Sequence, residues 1–308
     1  MTKCKRRLPV TEKVLQQRLS VIGDPVGGRT SGGGGVVKNI YKRENPNSLR
    51  QTQQLISTFH TLNKKLELAK TLPNNDDQLS SIHAELEELG GLHAYQRASL
   101  RGGDMSKGWG ATGKWILPYL KTEHSRISLC SEHANLETGS PPIKLRLLDV
   151  GAITGETYIR HSNILDIVSI DLNSQSPKVT QQDFFKRPLP ANDGERFHAV
   201  CLSLVINFVG DPASRGLMIS LTRSFLLPGG LLYIVLPLPC ITNSRYMTHP
   251  YFLTLLASLS FELVDHHHAR KLAYYIFRKS DTEATPMQFP KKIQRDGGGH
   301  NNFAVVLL

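Results

Sequence analysis

Four short runs of leucine, isoleucine and valine constrain the fold of this chain most: Leu145 to Val150, Ile167 to Asp171, Ala199 to Val205 and Leu231 to Leu236. Each is strand-sized and apolar at consecutive positions, whereas a strand with one wet face would alternate. Such runs belong to strands buried on both faces, the condition of a parallel sheet. Parallel neighbours need crossovers, and helical intervals separate several of the runs. The clearest is "DPASRGLMISLTRSFLLPGG", with Asp211 placed to cap, Pro212 in the first turn and Gly229-Gly230 after the end. "HPYFLTLLASLS" predicts another helix, and "FELVDHHHARKLAYYIFRKS" and "NNFAVVLL" predict late strands. The expected architecture is α/β, a mostly parallel, doubly wound sheet.

Upstream the pattern changes. Leu55, Ile56, Phe59, Leu62, Leu66 and Ala69 recur at helical steps until Pro73, and Leu79, Ile82, Leu86 and Leu89 form a second stripe, closed by Gly90-Gly91. This predicts a helical N-terminal extension of two helices. "HAYQRASLRGGDMSKGWGATGKWILPYL" mixes glycines, charges and both tryptophans, and admits two readings: a ligand-facing loop, or a connection with Trp109 and Trp115 anchored in the core. "SEHANLETGSPPIK" reads as a loop before the first strand. Before residue 46, "GDPVGGRTSGGGG" has no apolar period to bury and reads as a flexible linker.

The net charge of +11 favours phosphate-rich partners, with nucleic acid the leading class. Lys3, Lys5, Arg6 and Arg7 read equally as a nuclear or nucleolar address and as a solvated tail. The four cysteines are widely spaced, which fits a reducing compartment. No apolar run reaches the roughly 18 residues of a membrane span, so no membrane partner is expected. His266 to His268 suggest a metal at first sight, but neighbouring strand residues point to opposite faces and no acid or cysteine completes a set; no metal is expected.

The turn "DVGAITG" carries the chemistry. Gly151 and Gly155 permit close approach of a cofactor to the backbone, and Asp171, at the end of the second strand, is placed to accept ribose hydroxyls. A dinucleotide would need the full G-x-G-x-x-G, and Asp149 would put a carboxylate beside its phosphates. S-Adenosylmethionine has no phosphate and a cationic amino-acid end, which Asp149 suits. Asp183 in "QQDFF" fits the place of an adenine contact. The expected cofactor is therefore S-adenosylmethionine, held by Asp149, Gly151, Gly155, Asp171 and Asp183. The turn departs from the methyltransferase pattern D-x-G-x-G-x-G at Ile153. The expected organisation is a flexible basic, glycine-rich segment over 1–45, a helical region with a ligand-facing loop over 46–140, and an S-adenosylmethionine-binding domain over 141–308.

The blocks "YQRAS", "RGGDMSKGW", "LLDVGAITG", "IDLNSQ", "QQDFF", "LSLVINFVGDPASRG", "LPGGLLYIVLPLPC", "ARKLAYYIFRK" and "NNFAVVLL", in that order, resemble the fungal 25S ribosomal RNA adenine-N(1)-methyltransferases over about residues 46 to 308. The resemblance implies a Rossmann-like class I methyltransferase fold. It also implies a nuclear, nucleolar enzyme that methylates N1 of one adenine in large-subunit rRNA, free or in a preribosomal particle, during ribosome biogenesis. Gly151 and Asp171 match the family's cofactor-contacting positions. Related animal proteins resemble cofactor sensors, so a noncatalytic S-adenosylmethionine-binding regulator is the alternative of a different class.

The loop "SLVINFVG" is expected to face the methyl group, with Asn207 hydrogen-bonding the target base and Phe208 stacking on it. It lacks the Pro-Pro-aromatic sequence associated with attack by an exocyclic amine, which favours N1. "LPLPC" raises a rival, a cytosine-C5 methyltransferase using Cys240 as nucleophile, although a buried structural thiol is the commoner role.

Overall fold

A computed structural model describes residues 46–70, 75–92, 94–95, 97–98, 109–138, 143–174, 176–282 and 287–308. The expectations for the glycine-rich segment over 1–45, for Pro73, and for "RGGDMSKG" concern residues outside these. The strands are β1 (Leu145–Val150), β2 (Leu165–Asp171), β3 (Thr180–Gln181), β4 (Phe197–Ser203), β5 (Leu226–Pro237), β6 (Phe261–His268) and β7 (Leu272–Lys279). They form one sheet in the order β3-β2-β1-β4-β5-β7-β6. The first five are parallel, and β7 runs antiparallel between β5 and β6. This is a doubly wound α/β architecture, as the apolar runs predict.

The apolar runs are continuous because both faces of the sheet are covered. The helices are α1 (Pro46–Lys70), α2 (Asp76–Glu88), α3 (Leu117–Thr138), α4 (Pro212–Phe225), α5 (Pro239–Thr242) and α6 (His249–Ser258), of which α3 to α6 contribute to that cover. On one face Leu148, Val150, Val200, Leu202 and Ile234 pack against Met218, Ile219 and Phe225 of α4 and Phe252, Leu255 and Leu256 of α6. On the other, Leu145, Leu147, Ala199, Cys201 and Tyr233 pack against Ile116, Leu120 and Tyr158. Side chains alternate along each strand, so one sequence serves both cores. Each fully buried side chain of this kind contributes roughly 1.5–3 kcal/mol. Leu62, Leu66, Ala69 and Ile82 join α1 to α2 in a smaller cluster. Phe59 of α1 stacks on Tyr95 at 4.5 Å, and Tyr95 meets Phe208 edge-on at 5.1 Å, which links this pair of helices to the end of β4.

Several local expectations are corrected. "SEHANLET" belongs to α3 rather than to a loop. The β1–β2 connection holds no α-helix, although parallel strands are usually joined by one: it is irregular with a 3-10 turn over Ile159–His161, and the buried Tyr158 covers the sheet there. Gly229 and Gly230 lie inside β5, where the β4–β5 register shifts. "NNFAVVLL" is no strand of the sheet; its ladder contacts are single bridges, Asn301 to Ser244 and Leu307 to Phe289. Trp115 packs with Tyr119, Tyr233 and Tyr274, as the core reading expects, whereas the Trp109 side chain lies outside the description.

Beside the sheet edge, His249, His266 and His268 gather round Tyr275, whose hydroxyl lies 3.0 Å from both His249 Nδ1 and His268 Nε2. His266 and His268 share a face and His267 turns to Tyr274, as strand alternation requires. Burial, and then mutual repulsion, holds His249 and His268 below the usual imidazole value of 6.5; burial does the same for His161 and His198. The unfolded chain thus binds more protons than the folded one just below that value. Stability is complete above about pH 6.5 and is lost as pH falls through the depressed folded values. Glu123 adds to the loss at lower pH: burial pushes its carboxyl up, but Arg126 and Arg278 outweigh it and hold the pKa below the ordinary 4.5. The melting temperature is expected to be flat from about pH 8 to 7 and to fall towards about pH 5.5, less steeply in a His249→Gln/His268→Gln variant. A melting temperature that rises on acidification would contradict this.

Candidate functional site

The strand order reverses at β1, and the carboxyl ends of β1, β2, β3 and β4 open there onto one cavity of about 460 Å³, within the range of small-molecule sites. β1 delivers Asp149 and the Gly151–Thr154 turn, β2 delivers Asp171 and Leu172, and β3 leads into Asp183 and Phe185. The chain after β4 delivers Ser203, Leu204, Val205 and Phe208. Leu92, Tyr95 and Thr112, from the region before the sheet, also line the cavity.

Three aspartates line the cavity, and among its described lining residues there is no lysine or arginine. In a chain of net charge +11 this is a local inversion of sign. It selects against phosphate and for a cation. Asp149 is only 6 % exposed. Asp171 accepts a hydrogen bond from the Asn173 amide at 2.8 Å, which fixes its carboxylate at the strand end. Asp183 accepts from the Phe185 amide at 3.0 Å, capping the next 3-10 turn, and lies 3.9 Å from Lys186 Nζ.

Gly151 has φ +73°, and a Cβ there would stand 2.6 Å from Val205 Cγ2, so the turn requires glycine for its own geometry as well as for access. Gly155 also has a positive φ, but it packs against Lys178 and Val179 and is not part of the wall. Asn207 does not line the cavity either; its Oδ1 is buried without a hydrogen-bond partner among the described residues, one residue from the lining Phe208.

Hydrogen bonds join lining residues to one another and to the strands behind them. Tyr158 donates to Cys201 Sγ at 3.4 Å, Ser203 donates to Thr112 Oγ1 at 2.9 Å, and the Tyr233 hydroxyl donates to the Thr112 carbonyl. Burial, followed by Cys201 and Asp149, pushes the Tyr158 phenol well above its ordinary range. Burial, with Asp149, also pushes the Cys201 thiol up, which keeps it from being a thiolate nucleophile. Cys240 packs against the core on the α4 side and is not among the lining residues, so the cysteine-nucleophile reading finds no support.

Sequence reasoning missed Tyr95, Thr112, Tyr158 and Leu204 as individual cavity residues. Leu204 carries φ +61°, a left-handed conformation costly for a leucine, and nothing in "LSLVINF" announces it. The residues present fit S-adenosylmethionine. The buried Asp149 carboxylate suits the ammonium end, Asp171 suits a ribose diol, and Asp183, which lines the same cavity as Leu172 and Phe185, suits an adenine. Among the described residues no cluster of three potential metal ligands forms, and no helix is long and apolar enough to cross a membrane.

Residues 80–305 match the family described as Bmt2, 25S rRNA (adenine(2142)-N(1))-methyltransferase. The chain is 34 % identical over 236 residues to the 25S rRNA (adenine(2142)-N(1))-methyltransferase of Saccharomyces cerevisiae, covering 74 % of this chain and 64 % of that protein. It is 29 % identical over 281 residues to the 25S rRNA adenine-N(1) methyltransferase of Schizosaccharomyces pombe, covering 88 % of this chain and 98 % of that protein. It thus spans less than two thirds of the length of the first relative. Among solved structures, the Burkholderia thailandensis 1,6-didemethyltoxoflavin-N1-methyltransferase aligns with 54 % of this chain and 81 % of its own, at 16 % identity and a TM-score of 0.38.

Proposed function

The chain belongs to the Bmt2 family of 25S rRNA (adenine(2142)-N(1))-methyltransferases, and from that premise we propose that it methylates N1 of one adenine in large-subunit ribosomal RNA, using S-adenosylmethionine. The observation that carries the cofactor is the acidic cavity at the strand ends, lined by Asp149, Asp171 and Asp183 without a basic side chain among its described lining residues. Held by Asp149, Asp171 and Asp183, bound S-adenosylmethionine would supply an electrophilic methyl group to N1, the methyl–sulfur bond breaking as the methyl–nitrogen bond forms and the positive charge passing to the adenine. The N1 lone pair lies in the ring plane of neutral adenine, so no group of the chain has to remove a proton first. The protein's share is alignment and close approach.

Phe208 offers the aromatic face on which a base extruded from its stack would rest. Asn207, beside it, does not line the cavity; its buried Oδ1, without a hydrogen-bond partner among the described residues, would have to turn outward to accept from an adenine amino group. Asn207→Ala is expected to slow transfer at least tenfold with cofactor affinity retained, the scale of one lost hydrogen bond to the reacting base. Equal rates in single-turnover assays would remove Asn207 from this role.

Transfer of labelled methyl to purified large-subunit rRNA tests the proposal. Cofactor binding without any transfer would instead support the sensor reading, which draws on the lining residues Leu92 and Tyr95 from the helical N-terminal region. The substrate, as free rRNA or preribosome, and the nucleolar location belong to the same proposal. Residues 1–45 hold ten Lys and Arg against three Asp and Glu, a net +7 of the chain's +11. Replacing Lys3, Lys5, Arg6 and Arg7 by glutamine should flatten the slope of log affinity for single-stranded RNA against log salt by up to about 3, with cofactor binding unaltered. An unchanged slope would mean that these charges serve something other than RNA.

A further inference from the structure

Arg215, in the first turn of α4, is 3 % exposed and forms no ion pair among the described residues. A guanidinium in that position is tolerated only if its donors are met. Nε donates to the Val209 carbonyl at 2.7 Å, Nη2 to Gly210 at 3.1 Å and Nη1 to Ala304 at 2.8 Å, and the Phe303 ring lies 4.8 Å from its centre. Burial lowers its pKa to about 10, which leaves it charged at neutral pH.

The acceptors lie on two separate pieces of chain. Val209 and Gly210 close the loop that brings Phe208 to the cavity. That loop is set at its entry by Leu204, whose amide donates to Val235, and at its exit by Asp211, which caps α4 through the Ser214 amide. Ala304 and Phe303 belong to the C-terminal segment, which does not line the cavity. This segment is fastened elsewhere as well: the Val306 amide donates to the Pro212 carbonyl at 3.0 Å, the Arg245 amide donates to the Asn301 carbonyl at 2.9 Å, and Ser244 Oγ donates to Phe303. A Cβ at Gly216 would overlap the Val306 carbonyl, so glycine lets the segment lie directly on α4.

We propose that Arg215 is a positioning residue for methyl transfer, tying the Ile206–Phe208 turn and Val209-Gly210 to a C-terminal strap, residues 301–307, that holds Phe208 at the cavity. The inference rests on the methyltransferase reading above. A guanidinium fork reaches three carbonyls on two segments from three separate nitrogens, whereas a lysine offers all its donors from one. In the full chain, Arg215→Lys should bind S-adenosylmethionine within about twofold of wild type and transfer methyl to rRNA at least about tenfold more slowly in a single turnover. Amide exchange should quicken in peptides covering 204–211 and 301–308 and stay unchanged elsewhere. Transfer at the wild-type rate, or slowed transfer with unchanged exchange in either segment, would overturn the proposal. Phe303→Leu keeps Arg215 and its three acceptors and should cause the same changes in smaller measure; it carries the test if Arg215→Lys fails to fold, and wild-type behaviour in it would then be decisive against the tie. A wild-type protein that transfers no methyl would refute the enzymatic reading, while the exchange comparison would still decide the tie.

Discussion

Gly151→Arg is expected to leave a folded protein with no measurable affinity for S-adenosylmethionine. Two costs combine at this position. The backbone holds φ +73°, which any L side chain resists by about 1–2 kcal/mol, and the new Cβ would stand 2.6 Å from Val205. Beyond Cβ, the arginine would project into a cavity of about 460 Å³ and offer its cation to the carboxylates that the cofactor would otherwise meet. Gly151→Ala isolates the first cost: it carries the strain and the Val205 contact without the bulk, and should weaken binding by about tenfold or less. Calorimetry of both variants separates the contributions, with thermal melts as the control for folding. Wild-type affinity in Gly151→Arg would show that the turn does not face the cofactor.

The second large effect is expected at Asp171. Removing a carboxylate that accepts hydrogen bonds from a ligand costs about 1.5–3 kcal/mol, or roughly ten- to a hundredfold in affinity. Asp171 also anchors the turn after β2 through the Asn173 amide. Asp171→Asn retains an acceptor for that amide and loses the charge, so it spares the turn while weakening the cofactor contact. Asp171→Ala loses both. If both variants bind S-adenosylmethionine as tightly as wild type, the ribose assignment is wrong.

The legible parts of the sequence were those in which one physical rule acted alone. β1 and β2 are apolar on consecutive positions because both faces are covered, and Asp211 and Pro212 mark a helix start by local chemistry. The cavity aspartates followed from strand ends and spacing: Asp149, Asp171 and Asp183 converge as expected. Helix α3 was hidden because a charged residue, Glu123, occupies a buried position on it and is satisfied by Arg126 and by the distant Arg278. "NNFAVVLL" reads as a strand because it is apolar, yet its backbone is held by side chains from α4 and the α5–α6 turn, an arrangement with no sequence period. Gly155 shares the positive φ of Gly151 and serves packing instead, and nothing in the spacing tells the two apart. Leu204 was invisible for the opposite reason: a left-handed leucine breaks the rule by which such turns are read.

The central claim is that this chain makes N1-methyladenine in large-subunit rRNA. N1 lies on the Watson–Crick edge, so its methylation blocks pairing and halts reverse transcriptase. Primer extension should be run along the large-subunit rRNA of a yeast strain that lacks its own member of the family, with and without this chain expressed. The account predicts one stop that appears with the wild-type chain, is absent with Gly151→Arg, and coincides with 1-methyladenosine on nucleoside analysis of the excised fragment. No stop with a stably expressed wild-type chain, or 5-methylcytidine as the product, would contradict it.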